Sequence, residues 1–354
     1  ALPVAMNRNG DPAPGIVTTH DEFAVSWSRE EAEEKVERFL KTGSEEEARK
    51  LWRLCSQSQW NYDRAKQALS DGKWRKHVVP VLYRPFDIRW TVYDPNVAVH
   101  RRERVMRHML AGKNLGIIFM RQAALNEDYS HFGISDKLVD NRAFYSNKGI
   151  MFLSPLWLYP EQDGDLFQEG RKPNLNPDFL KAVKDSLGLS PSPEDIFRYA
   201  YAVFHSPTYR NRYGGFLKID FPRLPLTSDK KLFKALAAKG AELAALHLME
   251  SPTLEISPAK FETPGTRLVE KVFYDEKAHQ VRINSEQFFS GVEKKVWEFQ
   301  IGGYQVCEKW MKDRKGRKLS AEDVRHYQKI VAAIHQTIRL MAEIDALIPE
   351  WPIK

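Results

Sequence analysis

Six cations fall within the ten residues from Lys309 to Lys318, on a segment that is otherwise apolar and aromatic. Lys309, Lys312, Arg314, Lys315, Arg317 and Lys318 follow Ile301-Gly302-Gly303-Tyr304 and surround Trp310. A run of charge is ordinarily a solvated face. Cations held at the edge of a folded element instead suit a polyanion, and phosphate contact is the chemistry they offer. Asp313-Arg314-Lys315-Gly316-Arg317 also has the composition of a turn joining two helices.

Three further groups lie upstream. In Arg84-Pro85-Phe86-Asp87-Ile88-Arg89-Trp90 two arginines flank a Pro turn. A guanidinium can fork onto guanine O6 and N7 or onto a phosphate. The alternative is that Arg84 and Arg89 pair with Asp87 or Asp94 and brace the turn. His100-Arg101-Arg102-Glu103-Arg104, continued by Arg107 and His108, puts cations at a helix start, where they oppose the helix dipole. Phosphate contact would offset that conflict; a solvated basic face is the plainer alternative. Arg121-Gln122 follows the apolar run Leu115–Phe119 and is joined by Asn141-Arg142 and by Asn147-Lys148. Asn and Gln can hold adenine in a bidentate pair, and such residues at strand ends are both aimed and exposed. Polar turns are the alternative there.

The base-reading candidates are therefore Arg84, Arg89, Arg121, Gln122, Asn141, Arg142, Asn147 and Lys148. The phosphate-contact candidates are Arg101, Arg102, Arg104, Arg107, Lys309, Lys312, Arg314, Lys315, Arg317 and Lys318.

Catalytic patterns are missing. The chain has no Gly-x-Gly-x-x-Gly, no Gly-Lys-Ser/Thr phosphate loop, no His-Glu-x-x-His and no Gly-x-Ser-x-Gly. It also lacks the Asn/Asp-Pro-Pro-Tyr/Phe run with which amino-methyltransferases grip a flipped base. Glu293-Lys294-Lys295 has the residue types of a nuclease site but no partner Asp at a suitable spacing. Asp136, Asp140 and Asp220 read as turn residues and caps. No catalytic residue, metal ligand or cofactor is assigned, and the sequence favours a binding module over a stand-alone methyltransferase or nuclease. A structural coupling domain that meets other protein domains is a further alternative.

The elements that must position these residues form an α+β pattern. The 354 residues are 42% hydrophobic and 29% charged, with net charge +7 and a pI of about 9.1. That is enough apolar material for one large core or two ordinary ones. Two distant cysteines, Cys55 and Cys307, offer no disulfide framework, which fits a reducing cytoplasm. No apolar run approaches the roughly 18 residues of a membrane span, and Ala1 to Gly15 lacks a signal pattern. The missing initiator Met reads as a piece of something longer.

Residues 1–75 are expected to be a helical connecting segment, with capping boxes at Ser28/Glu31 and Ser44/Glu47. Residues 76–160 should form a β-rich recognition part with a mixed or antiparallel sheet. Its strands are expected near Val78–Tyr83, Ile88–Tyr93, Leu115–Met120 and Ile150–Tyr159, with one helix over Arg101–Leu110. Residues 161–354 should be helix-rich, with a loop at 160–176, helices at 177–187, 193–206 and 228–249, and a strand from Phe216 toward Leu226. A hairpin is expected over Leu268–Ile283. The chain should end in a long amphipathic helix capped by Ser320, with Val324, Tyr327, Val331, Ile334, Ile338 and Met341 along one seam that packs into the core.

Several segments, taken in order, carry a family resemblance. Val81-Leu82-Tyr83-Arg84-Pro85-Phe86-Asp87-Ile88-Arg89-Trp90, Val105-Met106-Arg107-His108-Met109-Leu110 and Asp140-Asn141-Arg142-Ala143-Phe144-Tyr145-Ser146-Asn147-Lys148-Gly149 are three of them. Pro193-Glu194-Asp195-Ile196-Phe197, His205-Ser206-Pro207-Thr208-Tyr209-Arg210 and the Gly302 to Lys318 stretch complete the set. Together, from about Gly15 to Asp345, the chain resembles the C-terminal specificity region of type ISP restriction–modification enzymes. Those are single-chain bacterial phage-defence proteins that combine a nuclease, a helicase-like ATPase, an adenine-N6 methyltransferase and a target recognition domain. The resemblance implies a module that chooses a short double-stranded DNA sequence for the methyltransferase and helicase-like domains, in the cytoplasm and without a membrane. S-adenosylmethionine, ATP and Mg are implied only for those other domains. Segments shared across the family, such as Gly302 to Lys318, are better placed for backbone contact or architecture than for sequence choice.

Overall fold

The computed structural model describes residues 12–54, 56–160 and 170–353, with the backbone of residues 2–3. Two serines shape the N-terminal unit. Ser28 opens α1 (Arg29–Lys41) and Ser44 opens α2 (Glu45–Trp52), and each hydroxyl accepts from the amide three residues on, at 3.1 and 3.2 Å. Glu31 and Glu47 reach one residue beyond the expected capping box, to the amides of Trp27 and Gly43. The stripe Ala32, Val36 and Phe39 then packs with Trp52, Trp60 and with Tyr62 of α3 (Tyr62–Leu69). That core also takes in Trp74, Val78, Val92 and Val97, so the helical unit is seated on the strands that follow.

Those strands are β1 (Val78–Arg84) and β2 (Asp87–Val92), an antiparallel hairpin in register from Val78↔Val92 to Leu82↔Ile88, with a one-residue shift before Arg84↔Asp87. After α4 (Glu103–Leu110) come β3 (Gly116–Met120), β4 (Phe132–Ser135), β5 (Leu138–Val139) and β6 (Met151–Pro155). β5 adds to the hairpin in parallel beside Val81 and Leu82. A second, antiparallel sheet has the order Ala13–Pro14, β6, β3, β4.

The second half is helical: α5 (Pro177–Leu187), α6 (Pro193–His205), α7 (Pro207–Leu217), α8 (Lys230–His247), α9 (Val306–Lys312) and α10 (Ala321–Leu347). The sheet meets this layer where Phe132 of β4 stacks on Phe204 of α6, with centroids 4.6 Å apart. α6 and α8 approach so closely that a Cβ on Gly240 would lie 1.8 Å from the Arg198 carbonyl oxygen. α10 opens with the expected capping box of Ser320 and Asp323. It buries Tyr327, Val331 and Ile334, while Val324, Ile338 and Met341 are half-buried. The α+β reading, with strands first and helices after, matches this order.

Some details differ from the sequence reading. The helix expected from Arg101 begins at Glu103, and Arg102 at its N-cap adopts φ 51°. Arg101 and Arg102 therefore precede the helix, an acid fills its first turn, and the expected clash of those two cations with the dipole does not arise. Phe216 is helical rather than extended, because Ser206 caps α7 and Pro207 starts it. Only Arg223–Leu224 forms a strand there. β4 and β5 were not anticipated; four and two residues are too few to register as a pattern. The hairpin is shorter than expected, Phe273–Asp275 with Gln280–Arg282, and gains Phe288–Phe289 as a third strand. The expected loop at 160–176 falls partly outside the described residues, and its end pairs Lys172–Pro173 with Trp157–Leu158. Cys307 is a buried free thiol, and Cys55 lies outside the described residues.

A polar network runs through the helical layer. The His247 Nδ1 lies 2.5 Å from the Tyr201 hydroxyl and its Nε2 lies 3.0 Å from the Thr337 hydroxyl. Thr337 donates its only hydroxyl proton to the Ala333 carbonyl at 2.7 Å. The His247 Nε2 must then carry hydrogen, and burial, which disfavours the charged ring, leaves Nδ1 to accept from the Tyr201 hydroxyl. Burial pushes His247 down to about 3 and His108 and His131 down to about 4. Burial, reinforced by the charge of Arg210, holds His205 well below the usual imidazole range. In the unfolded chain these four rings take up protons near pH 6.5, and in the folded one they do not. Their contribution to stability is thus present above about pH 6.5 and lost as the pH falls below it. Asp140, pushed up to about 6 by burial, acts in the opposite sense but is one group against four. The unfolding free energy should therefore fall steadily between about pH 7 and pH 5, by at most about 1.4 kcal/mol per histidine per pH unit, and the urea midpoint should fall with it. A midpoint that stays flat or rises over that range would refute the neutral network.

Candidate nucleic-acid interface

The end of the β1–β2 hairpin carries three charged side chains, Arg84, Asp87 and Arg89, and the fold buries all of them. Asp87 is 1% exposed, Arg89 4% and Arg84 7%. Asp87 accepts from Arg89 at 3.1 and 2.8 Å and from Arg314 Nη2 at 3.0 Å. Burial alone would raise the Asp87 carboxyl, but the bonds from Arg89 and Arg314 outweigh it and hold the group below its usual value. Arg314 is itself only 6% exposed and is anchored by the Trp310 carbonyl at 3.1 Å. Its Nε faces Asp323 at 3.5 Å, the same Asp that closes the cap of α10. Two guanidiniums on one carboxylate leave an excess positive charge. Aromatic faces take it up: Arg89 lies 3.0 Å from the Trp27 ring centroid, and Arg314 lies 3.3 Å from that of Trp310. His326 Nε2 donates to the Phe86 carbonyl at 2.7 Å and draws α10 onto the same turn.

A second knot sits beside the first. Arg84 pairs with Asp140 at 3.0 Å and stacks between Tyr83 and Tyr304, at 3.8 and 5.7 Å. Asp140 also accepts from the Arg142 amide at 2.9 Å. From there the loop 140–149 is clamped to the two-glycine turn that precedes α9. The Tyr145 amide donates to the Gly302 carbonyl at 2.7 Å, and the Tyr304 hydroxyl donates to the Arg142 carbonyl at 2.9 Å. Gly303 has φ 79°, and a Cβ there would come within 2.2 Å of the Tyr145 carbonyl oxygen, so a side chain is excluded on both counts.

The far end of the same loop meets Arg121-Gln122 at the edge of the antiparallel sheet. A Cβ on Gly149 would lie 2.1 Å from the Gln122 carbonyl oxygen, and the Ala124 amide donates to the Ser146 hydroxyl at 3.1 Å. Three segments that are distant in sequence, the β1–β2 turn, the 121–149 loops and the 302–318 stretch, are thus fastened into one face.

This arrangement sorts the candidate residues. Arg84, Arg89 and Arg314 were expected as DNA contacts; instead all three are buried in ion pairs, because each has a carboxylate, Asp140 or Asp87, within reach in the core. The turn-bracing alternative holds for Arg89, whose partner is Asp87, whereas Arg84 pairs with Asp140, a partner outside the turn. Arg121, Gln122, Arg142, Asn147 and Lys148 are exposed, and Asn141 is half-buried. The Asp313–Arg317 segment is the expected turn between α9 and α10, and Lys315, Arg317 and Lys318 stand out from it into solvent. Lys309 pairs with Asp313 at 2.5 Å and Lys312 with Glu308 at 2.8 Å. The basic group of α4 is carried separately. Arg101 pairs with Glu103 at 2.8 Å, Arg107 lies 3.4 Å from the Tyr159 and Pro160 carbonyls, and Arg102 and Arg104 are exposed. Trp27 and His326 escaped the sequence reading. The only hint of Trp27 was its place just before a helix cap.

An open cavity of about 450 Å³ lies in this face, lined by Trp27, Arg314, Arg317, Lys318, Ser320 and Asp323 among others. Arg317 stacks on Trp27 at 4.0 Å. The cations Arg317 and Lys318 face Glu322 and Asp323 of the first turn of α10 across it, so its lining carries both signs of charge. Among the described residues no group of three or more His, Cys, Asp or Glu could hold a metal ion, and no helix is long and apolar enough to cross a membrane.

Removing the charge at the centre is the direct check of this construction. Asp87→Asn should lower the unfolding free energy by about 3–5 kcal/mol, because it strands two buried guanidiniums. Lys315→Ala, an exposed cation on the same face, should stay within about 0.5 kcal/mol. Urea titrations of the two variants would settle it, and a cost below about 1 kcal/mol for Asp87→Asn would refute the central role.

Residues 11–343 match the family described as the type ISP C-terminal specificity domain. No curated protein matches the chain. Among solved structures, the fold is similar to part of the ATP-dependent type ISP restriction-modification enzyme LlaBIII bound to DNA. That likeness has a TM-score of 0.73 at 19% identity and covers 100% of this chain and 24% of that one. A DrdV–DNA complex gives 0.69 at 21% identity, covering 94% of this chain and 35% of the other. A nuclease-deletion mutant of the type ISP enzyme LlaGI, in complex with a DNA substrate mimic, gives 0.65 at 17% identity, covering 99% and 35%. Identities this low establish a shared fold. The chain spans about a quarter to a third of the length of these proteins.

Proposed function

The chain belongs to the type ISP C-terminal specificity domain family, and from that premise we propose that it recognises a short double-stranded DNA sequence on behalf of a larger cytoplasmic restriction–modification enzyme. The observation that supports this most is the single face into which three distant segments are fastened. It presents exposed Arg, Lys, Asn and Gln side chains on a base held rigid by buried arginines. The proteins of like fold are in complex with DNA or a DNA substrate mimic, and two of them are type ISP restriction-modification enzymes. In this reading, adenine methylation, ATP-driven translocation and cleavage belong to other domains of the parent enzyme, with S-adenosylmethionine, ATP and Mg as their cofactors. Methyltransferase and helicase-like domains are then the protein partners, and this chain catalyses nothing alone.

The labour divides along the face. Arg121, Gln122, Asn141, Arg142, Asn147 and Lys148 sit on loops and strand ends, where amide and guanidinium groups can address base edges. Lys315, Arg317 and Lys318, supported by Lys309 and Lys312, contact phosphates. Arg102 and Arg104 extend that contact from α4, with Arg101 and Arg107 beside them. Phosphate contacts release counterions, so affinity should fall steeply with salt, by about 0.9 in log–log slope per contact. Changing Lys315, Arg317 and Lys318 together to Ala should weaken all duplexes alike and lower the slope by roughly 2–3. Gln122→Ala should instead relax discrimination by about 1–3 kcal/mol at one base pair. Fluorescence anisotropy at two salt concentrations, with competitor duplexes, reads both. Absence of binding to any duplex at low salt would sink the reading, and the reverse pattern of effects would sink the division.

A further inference from the structure

Beside the base-reading loops the fold leaves large apolar side chains in water. Leu125 is 75% exposed, Phe216 71% and Ile219 57%. They come from two elements, the loop between β3 and β4 and the end of α7, that are stitched together. The Ala123 amide donates to the Lys218 carbonyl at 3.2 Å, and Lys218 Nζ donates to the Leu125 carbonyl at 2.9 Å. Leu125 follows directly on Arg121-Gln122 and on Ala124, which is bonded to Ser146 of the neighbouring loop. The base of this tip is firm. Arg121 stacks on Phe221 at 5.3 Å, Phe221 packs on Phe152 and Phe119 of the sheet, and the start of α7 is held where Asp345 accepts from Ser206 and Thr208.

We propose that this apolar tip is a wedge for the DNA duplex. Leu125 and Phe216, flanked by Ile219, press into a base step next to the bases that Gln122 and Asn147 address, and open the stack there. The inference rests on the DNA reading above and adds how the duplex is deformed. Leu, Ile and Phe are the residue types that insert between base steps in proteins that bend DNA.

The surroundings favour a polyanion over a protein. Arg212 stands four residues before Phe216 on the same helical face, so a cation accompanies the wedge. Arg121 and Lys218 belong to its two stitched elements, and Arg223 and Asp220 pair with each other at 3.9 Å. Three side chains also fall far short of the roughly 800 Å² per partner that a stable protein interface buries. Phe216 does border an apolar cleft of about 540 Å³ with Tyr213, Phe221 and Ile353, which makes a second copy of the chain the competing occupant.

Duplexes selected by the full 354-residue chain from a random pool, carrying 2-aminopurine at successive positions, would test this. The wild-type chain should raise the fluorescence at one step, through unstacking. Leu125→Ser with Phe216→Ser should abolish that rise and weaken the selected duplex at least tenfold, while leaving low-salt binding of unrelated duplexes within about twofold. Phe216→Leu should retain the rise. No fluorescence change at any position with the wild-type chain, or an unaltered rise with the double variant, would overturn the wedge while the DNA reading stands. Failure of the wild-type chain to bind any duplex would overturn both. Concentration-dependent sedimentation that the double variant abolishes, with DNA binding unchanged, would assign the patch to self-association and also overturn the wedge.

Discussion

One buried carboxylate constrains everything on the functional face. A carboxylate in a protein interior costs several kcal/mol in lost hydration unless cations and hydrogen bonds replace the water. Asp87 has both its oxygens bonded, by Arg89 from its own strand and by Arg314 from a turn 227 residues away. Neither arginine is stable there without the acid, and the acid is not stable without them. The remaining positive charge rests on the faces of Trp27 and Trp310 and against Asp323. The segment before α1, the β1–β2 turn, the α9–α10 turn and the start of α10 therefore share one electrostatic centre. None of them can shift without leaving a charge uncompensated.

The exposed cations gain from that rigidity. A lysine on a mobile tail pays conformational entropy each time it meets a phosphate, whereas one on a pinned turn has lost most of its backbone freedom already. The turn bearing Lys315, Arg317 and Lys318 is held at both ends. The Gly316 amide donates to the Val269 carbonyl at 2.7 Å, the Val269 amide to the Arg317 carbonyl at 2.9 Å, and the Leu319 amide to the Arg267 carbonyl at 2.9 Å. Arg314 anchors the same turn from below. The cluster is therefore part scaffold and part exposed charge, with the division made by burial.

Much of the frame was legible because it depends on local rules. Ser28, Ser44, Ser320 and the 3.6-residue stripes of α1 and α10 place helices through backbone hydrogen bonding and apolar spacing alone, and these elements stand where expected. The strands of β1, β2 and β3 announce themselves by β-branched and aromatic runs. α7 was misread because its cap, Ser206-Pro207, precedes a sequence with two glycines and few apolar residues, so the signal lay in the cap and not in the stripe. The site was legible only in composition. Nothing in a guanidinium tells whether it faces solvent or a carboxylate brought in by tertiary structure. Arg314 looks like its neighbours Lys315 and Arg317 until the fold brings Asp87 beside it. Trp27 has a role only because Arg89, Arg314 and Arg317 converge on it.

The same division separates the joints of the face from its exposed side chains. The loops at 121–128 and 141–149 join the scaffold largely through backbone groups: the Tyr145 amide on Gly302, the Arg142 carbonyl on Tyr304, and the contact between Gly149 and the Gln122 carbonyl. The side chains of Gln122, Arg142 and Lys148 take no part in those joints, whereas Arg121 stacks on Phe221 at 5.3 Å and Asn147 accepts from the Tyr145 hydroxyl at 2.5 Å. Replacing Arg84, Arg89 or Arg314 would instead strand Asp140 or Asp87 in the core. The buried arginines fix the geometry of the face, and the exposed side chains can be exchanged without taking a partner from a buried charge.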